Sequence, residues 1–349
     1  MGYGSYSLDA HRAIVEGRAG RTAVFESHVV HPSMDPKGKT RESRDSEAHP
    51  ESVSIVFALD VSTSMGSVPH LLATKTLPTF MQATLEVIPD PQILFMAFLD
   101  ARYSRAPYHP LQVGQFESDA ALIDHWLKTS YIPAEDPRAP RNIPPQYIGE
   151  SYDLAMYFAA RHTSIDCFEK RGKRGYFFLT GDEAPFPRLD REHVRAAIDE
   201  RAQDELALHE LVAELETRYE PFFLIPEPWR AERDDCAALW SKLLHERCIV
   251  LETAEDTAVA CAVLIGIGEG VLEDQAAIEA KLEALGRSGE ARDRVVRAVL
   301  PYANARGNIA PPTLEAPTAT PRGSDPGSSA RSVNRGRASA YAPVRDSVR

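Results

Sequence analysis

Ser52-Val53-Ser54-Ile55-Val56-Phe57-Ala58-Leu59-Asp60-Val61-Ser62-Thr63-Ser64-Met65-Gly66 sets the architecture of this chain. The apolar and β-branched run Val53–Leu59 is short and bounded by polar turn residues, the pattern of a strand buried in a parallel sheet. In such sheets ligand chemistry sits at the carboxyl ends of the strands. The run ends in Asp60-Val61-Ser62-Thr63-Ser64, which places one carboxylate and two alternating hydroxyls on a tight loop at that edge. Asp60, Ser62 and Ser64 are hard oxygen donors, suited to Mg²⁺ or Mn²⁺ rather than to metals that favour nitrogen or sulfur. A plainer reading is also open, in which Asp60 and Ser62 only cap the helix that follows.

Apolar positions at Val68, Leu71, Leu72, Leu77, Phe80, Met81, Leu85 and Ile88 carry helical spacing over 68–88. Pro89 and Pro91 stop that helix, and a strand from Ile93 to Leu99 closes at Asp100. The stretch 103–116 contains Pro107 and Pro110 and reads as an antiparallel edge strand or hairpin. A short helix is predicted over 119–127, and a proline-rich loop over 131–147 leads into Gly149-Glu150-Ser151 and a helix over 151–162. Tyr176–Thr180 is a second buried strand, ending in Gly181-Asp182-Glu183. Further strands at 222–225 and 249–251 alternate with helices at 196–218, 236–244 and 257–267. That alternation indicates crossovers and a doubly wound, mostly parallel sheet with helices on both faces. Gly266-Ile267-Gly268-Glu269-Gly270 follows a helix and reads as its stop rather than as a phosphate loop. Two helices over 273–285 and 292–302 are expected as a pair outside the core.

Asp60-Val61-Ser62-Thr63-Ser64 resembles the first motif of the von Willebrand factor A domain, its metal-ion-dependent adhesion site. The resemblance covers roughly residues 50–265 and implies a Rossmann-like α/β fold. It also implies a second motif on a later loop and a third carboxylate after a central strand. Asp182 fits the third position, although the order here is Thr-Gly-Asp where the family has Thr-Asp-Gly, so Glu183 competes with it. At the second motif most members carry Thr; Glu150 resembles the Glu of integrin β subunits, with Ser151 as the fallback and Asp100 as a further acidic position. The resemblance thus implies Mg²⁺ or Mn²⁺ held by Asp60, Ser62, Ser64, Glu150 and Asp182, with one position open to an Asp or Glu of a protein partner. In integrin β subunits the loop before the second motif helps choose the ligand, which makes Tyr131, Arg138, Arg141 and Tyr147 the expected partner contacts. Bacterial intracellular members often act as scaffolds or adaptors beside AAA+ ATPases, and the same role is expected here.

Composition bounds these readings. The chain has 349 residues, 43% hydrophobic and 26% charged, ordinary values for a globular protein. A net charge of −12 argues against nucleic acid as the main partner. Cys167, Cys236, Cys248 and Cys261 have the spacing of neither a disulfide framework nor a metal knuckle. With no apolar signal core at the start and no long apolar run, a cytoplasmic protein without a membrane span is expected. The expected domains are an N-terminal arm (1–50), the adhesion-type domain (51–268), a helical extension (269–309) and a disordered Pro/Ser/Gly/Arg-rich tail (310–349). The charge-dense stretch 37–50 is either a solvated linker or an arm that pairs its charges over the domain. His28 and His31 precede Pro32 and read as extended chain rather than as a metal pair. From Thr318 onward six Arg face two Asp, so the tail is the one place where nucleic acid could be drawn. An alternative function, a metal-dependent hydrolase acting on phosphoryl groups, lacks a nucleophile elbow and a phosphate-cradling Gly-Lys loop.

Overall fold

Strand β2 (Val53–Asp60) is buried along its whole length and sits near the middle of a six-stranded sheet. The chain is described here from a computed structural model covering residues 29–72, 77–103, 109–132, 150–203 and 205–307, with Ser7, Asp9 and Ala13. The other strands are β1 (Arg41–Ser43), β3 (Pro91–Phe98), β4 (Leu111–Glu117), β5 (Thr163–Ile165), β6 (Gly175–Thr180), β7 (Tyr219–Ile225) and β8 (Cys248–Val250). The helices are α1 (Val68–Leu71), α2 (Leu77–Leu85), α3 (Ala120–Thr129), α4 (Tyr152–Arg161), α5 (Asp166–Glu169) and α6 (Arg191–Ala197). They continue with α7 (Leu208–Glu216), α8 (Pro228–Glu232), α9 (Cys236–Leu244), α10 (Thr257–Gly268), α11 (Gln275–Ala284) and α12 (Glu290–Ala305).

The main sheet runs β4-β3-β2-β6-β7-β8, parallel throughout except for β4, which lies antiparallel to β3 at the edge. Strand order therefore reverses between β2 and β6. Such a switch point opens a crevice at the carboxyl ends of the two strands, because the connections leave toward opposite faces. Alternation along β2 divides the core. Val53, Ile55, Phe57 and Leu59 join the face covered by α2 and α10, whereas Val56 and Ala58 join the face covered by α4, α7 and α9.

Strand and helix placement agrees with the periodicity, with one difference, the placement of the C-terminal helical pair. Within the helix expected over 68–88 the described residues form α1 and α2, each with a proline in its first turn. The pair expected outside the core lies within it. Ile278, Leu282, Val295, Val299 and Tyr302 belong to the same buried cluster as β2, and the Tyr302 ring meets Phe222 edge-on at 5.0 Å. The cause is α10, whose residues from Thr257 to Ile267 are all buried. A helix apolar on every side needs cover on its outer face as well as against the sheet.

Of the two readings left open for the charged stretch 37–50, the described contacts are those of an arm that pairs its charges over the domain. β1 pairs in parallel with β5, the Arg44 guanidinium donates to Asp166 (2.9 Å) and Glu169 (3.0 Å), and Arg171 donates to Asp45 (2.6 Å). The turn 170–174 is bound into this network too, with Lys170 on Asp166 (2.6 Å) and Arg174 on Glu220 (3.3 Å). His28, the tail and all but the first two residues of the loop over 131–147 lie outside the described residues; His31 itself accepts from the Ser33 N–H at the start of a 3-10 turn. The four cysteines are free. No helix among the described residues is long and apolar enough to cross a membrane.

Candidate metal centre

Four parallel strands deliver polar side chains to one edge of the sheet. β2 ends at Asp60, β3 is followed by Asp100, β6 by Asp182 and Glu183, and β7 by Arg230 on α8 and Arg233 just beyond it. Glu150 arrives separately, its backbone bridged in parallel to Pro185 on the loop after β6. Asp60, Glu150, Asp182 and Glu183 are all buried.

The first loop is tied across the switch point. The Ser62 N–H donates to Asp60 Oδ1 at 2.9 Å, and Ser64 Oγ donates to Asp182 Oδ1 at 2.9 Å. Ser62 Oγ lies 2.9 Å from Ser64 Oγ. With the Ser64 proton committed to Asp182, the Ser62 hydroxyl must donate in that pair. Tyr152, the first residue of α4, locks the other side. Its hydroxyl accepts from the Glu183 N–H at 3.1 Å and donates to Asp60 Oδ2 at 3.4 Å. Its ring is held edge-on by Phe98, Phe223 and Trp240, and the Trp240 indole donates to the Glu183 carbonyl at 3.1 Å.

Gly181 is required by this lock. A Cβ there would drive into the Tyr152 ring, with Cζ at 2.8 Å. Gly181→Ala is expected to destabilise the fold by about 1–3 kcal/mol, as overpacking does. It also pushes the Tyr152 hydroxyl off Asp60, which denaturant unfolding and the near-ultraviolet tyrosine signal would report.

Charge at this edge is unbalanced. Among the described residues six buried carboxyls, those of Asp60, Asp100, Glu150, Asp153, Asp182 and Glu183, face three guanidiniums. Arg102 takes Asp100 at 2.9 Å, Arg230 takes Asp182, and Arg233 lies between Asp182 (3.4 Å) and Glu183 (3.0 Å). None of these arginines pairs with Asp60 or Glu150. Burial first, and then the charge of Asp182, pushes the Asp60 carboxyl well above the usual range. Burial followed by the charge of Asp60 does the same to Glu150. Burial also lifts Glu183 to about 7 and Asp153 to about 7. Oε2 of Glu150, Oε2 of Glu183 and Oγ1 of Thr180 are buried without a hydrogen-bond partner among the described residues. Orphaned oxygens of this kind call for an ion, a proton or water.

The edge brings Asp60, Ser62, Ser64 and Asp182 into one hydrogen-bonded chain, with Glu150 and Glu183 close enough for their charges to be felt. Ser151 Oγ is instead occupied by the Ala101 N–H (2.9 Å), and Asp100 is committed to Arg102. Tyr131, expected at the partner surface, is buried, because Gln112 bonds both its carbonyl and its N–H and draws it inward. Arg138, Arg141 and Tyr147 lie outside the described residues. Among the described residues no three His, Cys, Asp or Glu side chains are gathered tightly enough to hold a metal unaided. Any cation here depends on the serine hydroxyls, and those hard oxygen donors fit Mg²⁺ or Mn²⁺.

No family model matches the chain, and no curated protein matches it. Solved structures superpose loosely. Proximal thread matrix protein 1 from the mussel byssus aligns at a TM-score of 0.38 and 7% identity, over 62% of this chain and 47% of that one. The pilus adhesin SpaC from Lactobacillus rhamnosus GG, in its open conformation, aligns at 0.40 and 12% identity, over 66% of this chain and 31% of that one. This chain therefore spans less than half the length of either, and likeness at these scores carries no argument about what it binds.

Arg230, Arg233, Tyr152 and Trp240 were not singled out by the sequence reading. A signal existed for the arginines. Glu227-Pro228-Trp229-Arg230 follows a buried strand directly, the position where a parallel sheet gathers its functional side chains.

Proposed function

We propose that this chain is a protein-binding module of the von Willebrand factor A type, in which a divalent cation at the β2–β6 edge captures a partner's carboxylate. The observation that carries the proposal is the hydroxyl–carboxylate chain Ser62–Ser64–Asp182, set at the switch point beside Asp60 and the orphaned oxygen of Glu150. Ser62, Ser64, Asp60, Glu150 and Asp182 would hold Mg²⁺ or Mn²⁺. Such an ion supplies a concentrated positive charge that favours an incoming Asp or Glu, while the surrounding loops set which protein presents it. A cytoplasmic scaffold or adaptor role, with an AAA+ ATPase as one partner class, extends the same proposal.

The hydrolase alternative finds no histidine base beside the site, so any general base there would have to be one of its carboxylates. His162 caps the far end of α4 from Tyr152, about 15 Å along a helix of that length, and His125 is exposed on α3. Neither can serve.

The test is capture of binding proteins from the native extract on immobilised full-length chain, with Mg²⁺ or with chelator, beside Asp60→Asn. A set of proteins retained by wild type with Mg²⁺, and lost both with chelator and with Asp60→Asn, is the expected result. Retention indifferent to both treatments overturns the proposal.

A further inference from the structure

The site carries its own cation. Arg230 is buried, and its Nη1 rests at once on Asp182 Oδ2, on the Ser64 carbonyl (3.0 Å) and near Met65 Sδ (3.9 Å). It thus bridges the first loop and the third carboxylate, the two pieces that the proposed metal ligands would share. With Ser64 on Oδ1 and the two arginines on Oδ2, both oxygens of Asp182 are engaged. A divalent ion seated among these groups would face a guanidinium in a water-poor site, where like charges repel strongly.

The segment bearing Arg230 is short and leads into strained backbone. α8 is a single short turn region, and the chain beyond it passes through Asp234 (φ 47°) and Asp235 (φ 55°). Two consecutive non-glycine residues in the left-handed region are strained and hold only while their surroundings enforce it. Ion pairs of Arg230 and Arg233 with Asp182 and Glu183 anchor this segment to the site. On the outer side of α8, Trp229 is 57% exposed, its ring 4.3 Å from the Arg230 guanidinium.

We infer that Arg230 is a resident counter-cation which a divalent ion must displace from Asp182, and that its release shifts the Trp229-bearing segment. Arg230 thereby sets the cation affinity of the site and couples occupancy to the surface beside it. This inference rests on the metal-binding reading and is separable from it.

The experiment titrates MgCl₂ and MnCl₂ into full-length wild type, Arg230→Met, Arg233→Met and Trp229→Phe, following heat by calorimetry and tryptophan emission by fluorescence. Arg230→Met should bind at least tenfold more tightly than wild type, and Arg233→Met, which removes the outlying partner, several-fold more tightly. Wild-type emission should change on saturation, and Trp229→Phe should bind equally well without that change. In Arg230→Met the emission should begin near the loaded value. If Arg230→Met folds only when the cation is present, ion and guanidinium are interchangeable, as inferred. If it folds in neither condition, Arg233→Met decides. Wild type that binds while Arg230→Met, or Arg233→Met in its place, binds no more tightly overturns this inference and leaves the metal reading standing. Absence of binding by wild type and both arginine variants overturns the two together.

Discussion

Asp60→Asn should abolish the thermal response to Mg²⁺ expected of the wild type and leave the metal-free protein at least as stable as wild type. A ligand that binds only the folded state stabilises it by about 1.4 kcal/mol at tenfold over Kd and about 2.7 kcal/mol at a hundredfold. Wild type should show that rise, and the variant none. The second half of the expectation follows from burial. Asp60 is fully enclosed and close to Asp182, and its carboxyl is driven toward the protonated form. An amide of the same shape keeps an acceptor for the Ser62 N–H, 2.9 Å away, without bringing a charge inside. Unfolding scans with chelator and with MgCl₂ check both halves. An undiminished shift in the variant would remove Asp60 from the site, and loss of the fold would make it purely structural.

The metal-free chain should gain stability as pH falls from 8 to 5. A carboxyl whose folded pKa lies above its unfolded value holds more protons folded than unfolded, so its contribution to stability declines as pH rises between those two values. For Asp153 the interval runs from 3.8 to about 7, and for Glu183 from 4.5 to about 7. At about 1.4 kcal/mol per unit, these intervals weaken the folded state above them by roughly 4 kcal/mol for Asp153 and roughly 3 kcal/mol for Glu183. Asp60 and Glu150 are shifted the same way. The half-buried His162 is shifted below 6.5 by its desolvation and opposes these four carboxyls. The carboxylates of the arm network, Asp45, Asp166 and Glu169, are shifted down, so their loss of stability falls below this window. Urea unfolding in chelator at half-unit intervals should show the slope, and saturating Mg²⁺ should flatten it. A profile that rises with pH between 5 and 8 without metal would mean that these carboxyls are solvated.

The sheet was legible because burial leaves a plain record in sequence. Val53–Leu59, Tyr176–Thr180 and Phe222–Ile225 are apolar runs of strand length, each closed by turn residues, and each is a central parallel strand. The first-loop serines and Asp182 were legible for a related reason, since a carboxylate or hydroxyl at the end of a buried strand has few structural uses. Asp100 and Ser151 show the limit. Their types fit a metal, and the structure pairs Asp100 with Arg102 and Ser151 Oγ with the Ala101 N–H, partners set by tertiary geometry that spacing does not encode. Arg230 was missed because a lone arginine in a loop reads as a solvated charge; only the fold places it against Asp182. The C-terminal helices were misplaced for want of one deduction. Thr257–Ile267 has no polar face, so something beyond it had to form its second wall.

That wall has a temporal side. Ribosomes deliver the N-terminal strands first, and domains tend to fold as each is completed. Here the early strands emerge without the cover for α10, because Val295, Val299, Tyr302 and Ala303 come nearly last among the described residues. A nascent chain stalled soon after Gly268 would hold a fully apolar helix with one side bare, a sticky intermediate suited to chaperone capture. Closure of this core is thus tied to release of α12, and the β2–β6 edge can become permanent only once translation has passed that helix.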